Sequence, residues 1–232
     1  MRLAFDEDGR PGETRTVTAT GLSRRGASER GRLEVLEAAA AAFNQRGYAA
    51  TSIDDIAEIL ASTKGRIYHY YRSKADIFLD VLTLSIGDLI ERVKPIAARE
   101  DLAPDRRLAE AARMHATVMM TQSALSRVAI QGAEMHLMQD AGAKQRAALE
   151  VFIAMRDEYE QFFAAIIDEG VRSGYFRDVA PRLATKPVLG ALNWINMWFQ
   201  PGHSGRPIEE IADEFATFVV NGLRHTPRRR KR

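Results

Sequence analysis

Residues 33–74 read LEVLEAAAAAFNQRGYAATSIDDIAEILASTKGRIYHYYRSK, and this stretch decides the fold. Its first part predicts a long amphipathic helix, because apolar residues recur at three- and four-residue spacing and so share one face: Leu33, Leu36, Ala40 and Phe43. Gly47 follows that face, at the position where a helix end favours a residue that tolerates positive φ. The pattern predicts that the first helix ends there.

Two short helices are predicted after Gly47. Ser52 is the N-cap of the first, and Asp54 and Asp55 lie in its first turn, where carboxylates interact favourably with the helix dipole. A break at residues 61–63 precedes a third helix at 64–70, which is too short to be stable alone. It directs a set of polar and aromatic side chains outward: Lys64, Arg66, Tyr68, His69 and Tyr70. This arrangement predicts a helix-turn-helix whose last helix enters a DNA major groove.

The same residues resemble the DNA-binding head of the tetracycline-repressor family of bacterial regulators. The shared pattern is A-x-x-x-F-x-x-x-G-Y-x-x-T-S-I-x-x-I-A, followed by S/T-K-G-x-I/L-Y-x-Y-F/Y-x-S-K. The anchors in register are Phe43, Gly47, Tyr48, Thr51, Ile53, Ile56, Ala57, Gly65, Ile67, Tyr68, Tyr71 and Lys74. The family has a Gly-Val pair in the turn where this chain has Ala61 and Ser62. We therefore expect a slightly altered turn, strained by ~1 kcal/mol if Ala61 takes positive φ, within the same fold.

We predict which side chains of this head meet DNA. Those expected to approach bases are Lys64, Arg66 and His69, and those expected to contact phosphates are Thr51, Tyr68, Tyr71 and Lys74. Gly65 lies on the same surface. Arg24 and Arg25 precede the first helix, and two interpretations stay open for them. They belong to a solvated arm, or, as related proteins suggest, one of them reaches a phosphate or the minor groove.

Composition is that of a globular protein, with 232 residues, 46% hydrophobic and 28% charged. No segment approaches the ~20 apolar residues of a transmembrane helix, and no secretory signal is visible. The absence of cysteine fits a cytoplasmic protein and excludes disulfides and thiol catalysis. The pI near 9.0 reflects the end of the chain, residues 224–232. Without it, 27 Lys and Arg face 31 Asp and Glu.

The chain divides into four parts. Residues 1–27 are predicted to be a disordered N-terminal arm, 28–74 the helix-turn-helix head, 75–225 a larger ligand-binding and dimerisation domain, and 226–232 a basic disordered tail. The predicted helices of the larger domain are 75–93, 106–123, 125–138, 143–169, 180–199 and 207–224. The predicted fold is all-α with about nine helices.

Two helices near the end carry more apolar surface than one monomer can bury. In the resembled family, the corresponding helices pair with their symmetry mates. The resemblance therefore implies a homodimer, and the predicted interface residues are Gly190, Trp198, Ile211, Phe215 and Phe218. Gly190 permits close helix approach. The alternative interpretation is that one of the tryptophans, Trp194 or Trp198, belongs to the monomer core.

The body also resembles regulators of fatty-acid and sterol catabolism that respond to acyl-CoA thioesters. The similarity lies in residues 168–177, in Leu-Asn-Trp at 192–194 and in Trp-Phe-Gln-Pro-Gly at 198–202. It implies an apolar effector pocket, for which deformable methionines and aromatic rings are suited. The predicted lining is Met114, His115, Met119, Met135, Phe152, Met155, Tyr159, Phe163 and Trp194. The same residues would also serve as core filler.

Enzyme motifs are absent from the sequence, which has no HExxH, GxSxG, Walker loop or GxGxxG after a strand. We predict no catalytic residue, no cofactor, no metal site and no membrane contact. The predicted function is a transcriptional repressor released from a palindromic operator in double-stranded DNA by a small apolar effector such as an acyl-CoA. The alternatives are a regulator of a multidrug efflux pump that responds to aromatic drugs, a ligand-independent DNA-binding protein, and a pure interaction module.

Overall fold

A computed structural model describes residues 19–121, 142–200, 202–203 and 205–224. Within these ranges all regular secondary structure is helical, which confirms the all-α prediction. The helices are α1 (Ala19–Ala50), α2 (Ile53–Ile59), α3 (Lys64–Tyr70), α4 (Lys74–Ala97), α5 (Pro104–Thr121), α6 (Ala143–Arg172), α7 (Pro181–Trp198) and α8 (Ile208–Leu223). The helix predicted at 125–138 and the tail predicted at 226–232 lie outside the described residues.

Helix α1 starts upstream of its predicted start. Residues 19–27 were assigned to the arm, and their backbone is helical instead. This segment contains Ala, Leu and Arg, which favour helix, and a helix formed downstream extends at little cost. Gly47 interrupts α1 with φ 76° and ψ 158°, so the regular helix ends at the residue that the sequence marked.

Helix α4 belongs to two cores. Near its start, Phe78 packs between two aromatic rings of α1, with its ring centroid 5.4 Å from that of Phe43 and 4.7 Å from that of Tyr48. Farther along, Leu89 and Val93 are buried, and at Gly87 the methyl group of Met155 in α6 lies 3.7 Å from where a Cβ would stand. The helix that anchors the head is therefore also a core element of the body.

The Lys74 side chain ties the end of α1 to the start of α4. Its Nζ donates hydrogen bonds to the carbonyl oxygens of Tyr48 at 2.7 Å, Ala49 at 3.3 Å and Thr51 at 2.6 Å. It also lies 4.5 Å from the centroid of the Tyr48 ring. Desolvation lowers the pKa of Lys74, and the nearby Asp55 carboxylate opposes that shift. The ammonium satisfies carbonyls that a helix end leaves without intrahelical partners. We call this arrangement the Lys74 clamp.

The body closes around a tight turn after α6. A Cβ on Gly170 would lie 2.2 Å from Cδ2 of Phe176, so the buried Phe176 ring packs directly on the glycine backbone. The amide of Arg177 donates to the carbonyl of Leu223 at 2.8 Å, which joins this turn to the end of α8. This contact attaches the turn after α6 to α8, and α8 packs against α5.

The Lys74 clamp generates a stability prediction. Lys74→Met should lower the free energy of unfolding by about 1–2 kcal/mol, because three carbonyls lose a charged donor. Urea unfolding followed by circular dichroism measures the change. The matched control is Lys64→Met, since Lys64 is an exposed lysine of the same head and should leave stability nearly unchanged. Equal stabilities for the two variants would contradict a structural role for the clamp.

Candidate nucleic-acid interface and effector site

The exposed face of α3 carries most of the side chains predicted to meet DNA. Lys64, Gly65, Tyr68 and His69 are exposed, and Arg66 is half-buried. The Tyr68 ring keeps 54% of its surface accessible. The other face of the helix is anchored by Ile67, which is fully buried in the head core. The structure thus brings these five predicted residues together on one short, rigidly held helix.

Both cationic side chains of α3 are ion-paired within the head. The Nζ of Lys64 lies 2.7 Å from a carboxylate oxygen of Asp54 in α2, and this hydrogen bond raises the pKa of Lys64. A terminal nitrogen of the Arg66 guanidinium pairs with the Glu34 carboxylate in α1. All four side chains are substantially exposed, so the pairs add little to folding stability. The two ion pairs do set the positions of the Lys64 and Arg66 side chains in the protein without DNA.

Three residues predicted to contact phosphates form hydrogen bonds within the head. The Thr51 side chain is buried and its hydroxyl donates to the Gly47 carbonyl at 2.7 Å. The Tyr71 hydroxyl donates to Asp80 at 2.9 Å, and burial is the main cause that raises the pKa of Tyr71. Lys74 forms the clamp already described. The predictions for Thr51 and Tyr71 are corrected, because both residues are buried and their hydroxyls are bonded within the head. The prediction for Lys74 stays a prediction, since this residue is half-buried.

The turn between α2 and α3 departs from the family pattern as the sequence predicts. Ala61 takes a φ of 49°, which strains a residue with a Cβ. Its amide donates to the Glu58 carbonyl at 3.0 Å, and the Ser62 amide donates to the Ala57 carbonyl at 3.0 Å. Ser62 is half-buried, so its hydroxyl is within reach of water. The strain lies at Ala61, and the turn still leads into α3 at Lys64.

Arg24 and Arg25 belong to the helical backbone of α1, and their side chains lie outside what the structure describes. Their predicted contact with DNA stays a prediction. The two residues lie in a helix, however, and not in the irregular arm that the sequence predicts.

A buried polar cluster joins α5, α6 and α7. The Nδ1 atom of His115 lies 2.7 Å from the Tyr159 hydroxyl, and its Nε2 atom lies 3.1 Å from the side-chain oxygen of Asn193. Burial lowers the pKa of His115 to about 4, so the ring is neutral at neutral pH. One turn along α7, the amide nitrogen of the buried Asn196 donates to the Met119 sulfur at 2.9 Å, while its side-chain oxygen has no hydrogen-bond partner among the described residues.

Sequence reasoning found His115, Met119 and Tyr159 but missed the two asparagines. The available signal was their i, i+3 spacing in an otherwise apolar helix, LGALNWINMW at 189–198, which places both amides on one face. A polar pair on the inner face of an apolar helix requires partners. The cluster could bind a polar group of a small molecule that enters between these helices.

Other predicted effector residues lie in the same interior. Phe152 and Phe163 are buried, and Met114 and Met155 are half-buried against the core. Met135 lies outside the described residues. Trp194 is a correction: it is 62% exposed on the outer side of α7, because it faces away from the side that carries Asn193 and Asn196.

That outer side forms an apolar face with α8. Its most exposed members are Trp194, Met197, Trp198 and Phe218. Phe215 stacks on Trp198 with ring centroids 6.2 Å apart and an interplanar angle of 15°. Gly190 is exposed, and no atom lies within 4 Å of where its Cβ would be. Ile211, which was predicted for the interface, is buried inside the monomer and is corrected to a core residue.

The described ranges contain neither a metal site nor a membrane span. Over the described ranges, no group of three or more His, Asp or Glu side chains could hold a metal ion. None of the helices in the same ranges is both long and apolar enough to cross a membrane.

Comparisons with known proteins agree with this architecture. Residues 101–223 match the family model described as tetracyclin repressor-like, C-terminal domain, and residues 35–81 match that of bacterial regulatory proteins of the tetR family. The chain is 28% identical to the transcriptional repressor KstR2 of Rhodococcus jostii, over 83% of this chain and 90% of that protein.

Solved structures show the same fold. The TetR family regulator PfmR from Thermus thermophilus is 30% identical, with 82% of this chain and 99% of that chain covered and a TM-score of 0.69. AibR in complex with isovaleryl coenzyme A and operator DNA is 23% identical, with 83% and 97% covered and a TM-score of 0.66. The family and these relatives are transcriptional regulators and not enzymes, as predicted. The chain belongs to the tetR family of bacterial transcriptional regulators.

Proposed function

We propose that this protein is a transcriptional repressor that binds a near-palindromic operator as a homodimer and leaves it when an apolar effector binds the body. The observation that carries this proposal is the exposed face of α3, with Lys64, Arg66, Tyr68 and His69 on a helix held by the buried Ile67. A short helix of this kind fits the major groove. Arg66 is suited to recognise guanine, since a guanidinium can donate two parallel hydrogen bonds to one base.

The apolar face of α7 and α8 supports dimerisation. Trp194, Met197 and Phe218 each keep at least 60% of their surface exposed, and a patch of this kind marks an interaction site. A second copy of the same face would cover it, in the hydrophobic class of interfaces that bury roughly 2,000 Å² or more. Two heads related by a two-fold axis would then read half-sites about 34–36 Å apart, or a multiple of that spacing.

The proposed effector mechanism depends on α4, which packs into the cores of both the head and the body. Two residues after Lys74, the Asp76 carboxylate accepts a hydrogen bond from Gln145 at 3.2 Å and lies 3.6 Å from Nζ of Lys144, both in the first turn of α6. A shift of α6 would therefore move the start of α4 and the head that it carries. An effector that reverses a 1:99 equilibrium must favour the released state by about 5.5 kcal/mol.

An acyl-CoA is the effector class that the interior of the body favours. An acyl chain would contact buried aromatic and methionine side chains, of which Phe152 and Met155 are examples. Its thioester carbonyl, a small polar group, would meet the cluster of His115, Tyr159 and Asn193. Burying a few hundred Å² of chain at ~25 cal/mol per Å² would supply the energy of the switch. The complex of AibR with isovaleryl coenzyme A and operator DNA supports this class.

Base recognition by Arg66 is tested on an operator selected from a random duplex library. Arg66→Ala should reduce the difference in binding free energy between operator and random DNA by about 1–3 kcal/mol, because a bidentate base contact is lost. Fluorescence anisotropy titrations at several salt concentrations give both affinities. The matched control is Arg72→Ala, because Arg72 is an exposed arginine just beyond α3. This variant should lower the affinities for operator and for random DNA by a similar factor. An unchanged ratio for Arg66→Ala would remove Arg66 from the base contacts.

The dimer is tested by placing charge on the apolar face. Phe218→Glu should give folded monomers that bind the palindrome weakly, because Phe218 is 68% exposed in the monomer and its loss costs no core contact. Analytical ultracentrifugation measures the assembly state. Ile59→Glu is the control, since Ile59 is 40% exposed in α2 of the head, outside the two helices that carry that face, and should leave the dimer intact. A wild-type monomer at micromolar concentration would refute the dimer.

The effector class is tested with acyl-CoAs of increasing chain length, with free coenzyme A and a polycyclic dye as controls. Release of the selected operator should strengthen with chain length until the body can accommodate no longer chain, since each added CH₂ that becomes buried contributes about 0.8 kcal/mol. Anisotropy of labelled operator measures release. If the dye releases the operator and none of the acyl-CoAs does, the protein is the regulator of a drug efflux pump and the acyl-CoA assignment fails.

A further inference from the structure

We propose that Glu34 positions the guanidinium of Arg66 for base recognition and is thereby a specificity-determining residue of this head. The inference rests on the proposed readout of DNA by Arg66. It assigns a role in DNA recognition to a residue of α1, a helix that does not itself carry the exposed face of α3.

The contact between the two residues holds one corner of the guanidinium and leaves the rest open. Glu34 accepts from a single terminal nitrogen of Arg66, across 32 residues of sequence. A guanidinium has five N–H donors, and within the described residues no other acceptor for them is found on the protein. The Arg66 side chain remains 39% exposed. It can therefore pair with Glu34 and still present an edge to a base.

The Arg66 side chain also lies at a groove. Arg66 lines an open groove on the head together with Glu34, Glu37, Ala38, Ile59 and Leu60. Apolar walls next to an arginine stem limit its rotamers, and the neighbouring Val35 and Leu36 are fully buried, which fixes α1 in place. An arginine that is free in solution loses much of its rotational freedom when it binds. Part of that loss has already occurred here, before DNA is present.

The second ion pair of α3 differs in kind. The ammonium of Lys64, paired with Asp54, is a point charge whose interactions depend on distance and little on orientation. A planar guanidinium must be oriented to donate two parallel hydrogen bonds to guanine. A carboxylate partner from another helix can supply that orientation, so the effect on specificity is assigned to the pair of Glu34 and Arg66.

The chain offers a matched control in Glu37. Glu37 is an exposed carboxylate of the same helix and the same groove, and in the part of the chain that the structure describes it has no hydrogen bond or ion pair. Glu34→Gln and Glu37→Gln each remove one negative charge near the DNA-facing surface. Any effect of charge alone should therefore be the same for both.

The experiment measures affinities of full-length wild type, E34Q and E37Q for the selected operator and for random DNA, at several salt concentrations. Both variants should bind random DNA slightly more tightly, since a repulsive charge is gone. Only E34Q should lower the operator-to-random ratio, by about two- to fivefold, the range of an exposed ion pair. In an Arg66→Ala background the difference between E34Q and E37Q should vanish. Thermal melts check that each variant is folded.

Two results would overturn the proposal. Equal ratios for E34Q and E37Q would mean that Glu34 contributes only charge. A ratio that rises in E34Q would mean that Glu34 competes with DNA for Arg66 and does not orient it. Failure of the proposed function has a different signature, because wild-type protein would then show no preference for any selected operator, and the assignment of Glu34 would fall with it.

Discussion

Helix α4 is packed into two cores at once, and the position of the DNA-facing helix depends on that constraint. Its first turns lie among the aromatic rings of Phe43 and Tyr48, while its later turns pack against α6. Packed cores resist continuous deformation, so a displacement of α4 moves the head as a unit. The Lys74 clamp makes the joint stiff, because an ammonium that bonds three carbonyls permits little sliding between α1 and α4.

Charges in the head divide into those that hold the fold and those that face solvent. The Lys74 ammonium connects α4 to α1 and is half-buried, with hydrogen bonds to three backbone carbonyls. Lys64 is exposed and Arg66 is half-buried, and within the described residues each is paired with an exposed carboxylate, of Asp54 and of Glu34. Exposed pairs exchange partners at low cost, whereas a shielded charge deprived of its partner is costly. Lys64 and Arg66 can therefore exchange their carboxylate partners for DNA without destabilising the core of the head.

Helix α7 separates two surfaces to which we assign proposed roles. Its inner side carries Asn193 and Asn196 against His115 and Met119, and its outer side carries Trp194 and Trp198 on the apolar face. The proposed effector site and the proposed dimer interface thus share one helix. A small molecule that completes the hydrogen bonds of the Asn196 oxygen would adjust the same element that sets the relative position of two subunits. The proposed mechanism would then have a second route, besides α4, by which an effector in the body could affect DNA binding.

The sequence by itself determined the local elements, since these depend on neighbours in the chain. Apolar spacing placed α1, Gly47 marked its end, and Ser52 and the acidic turn began α2, because caps, dihedral preferences and helical periodicity act over a few residues. The helix-turn-helix and its exposed α3 followed from the same signals. Only the tertiary structure decided which polar groups stay available. Thr51, Tyr71 and Lys74 fit a pattern of phosphate contacts, yet each is engaged by atoms of other elements. Spacing also could not place Trp194 outside and Ile211 inside. The physical reason is common to all five residues: periodicity shows which side chains share a face, whereas the partner that meets that face is set by packing between distant parts of the chain.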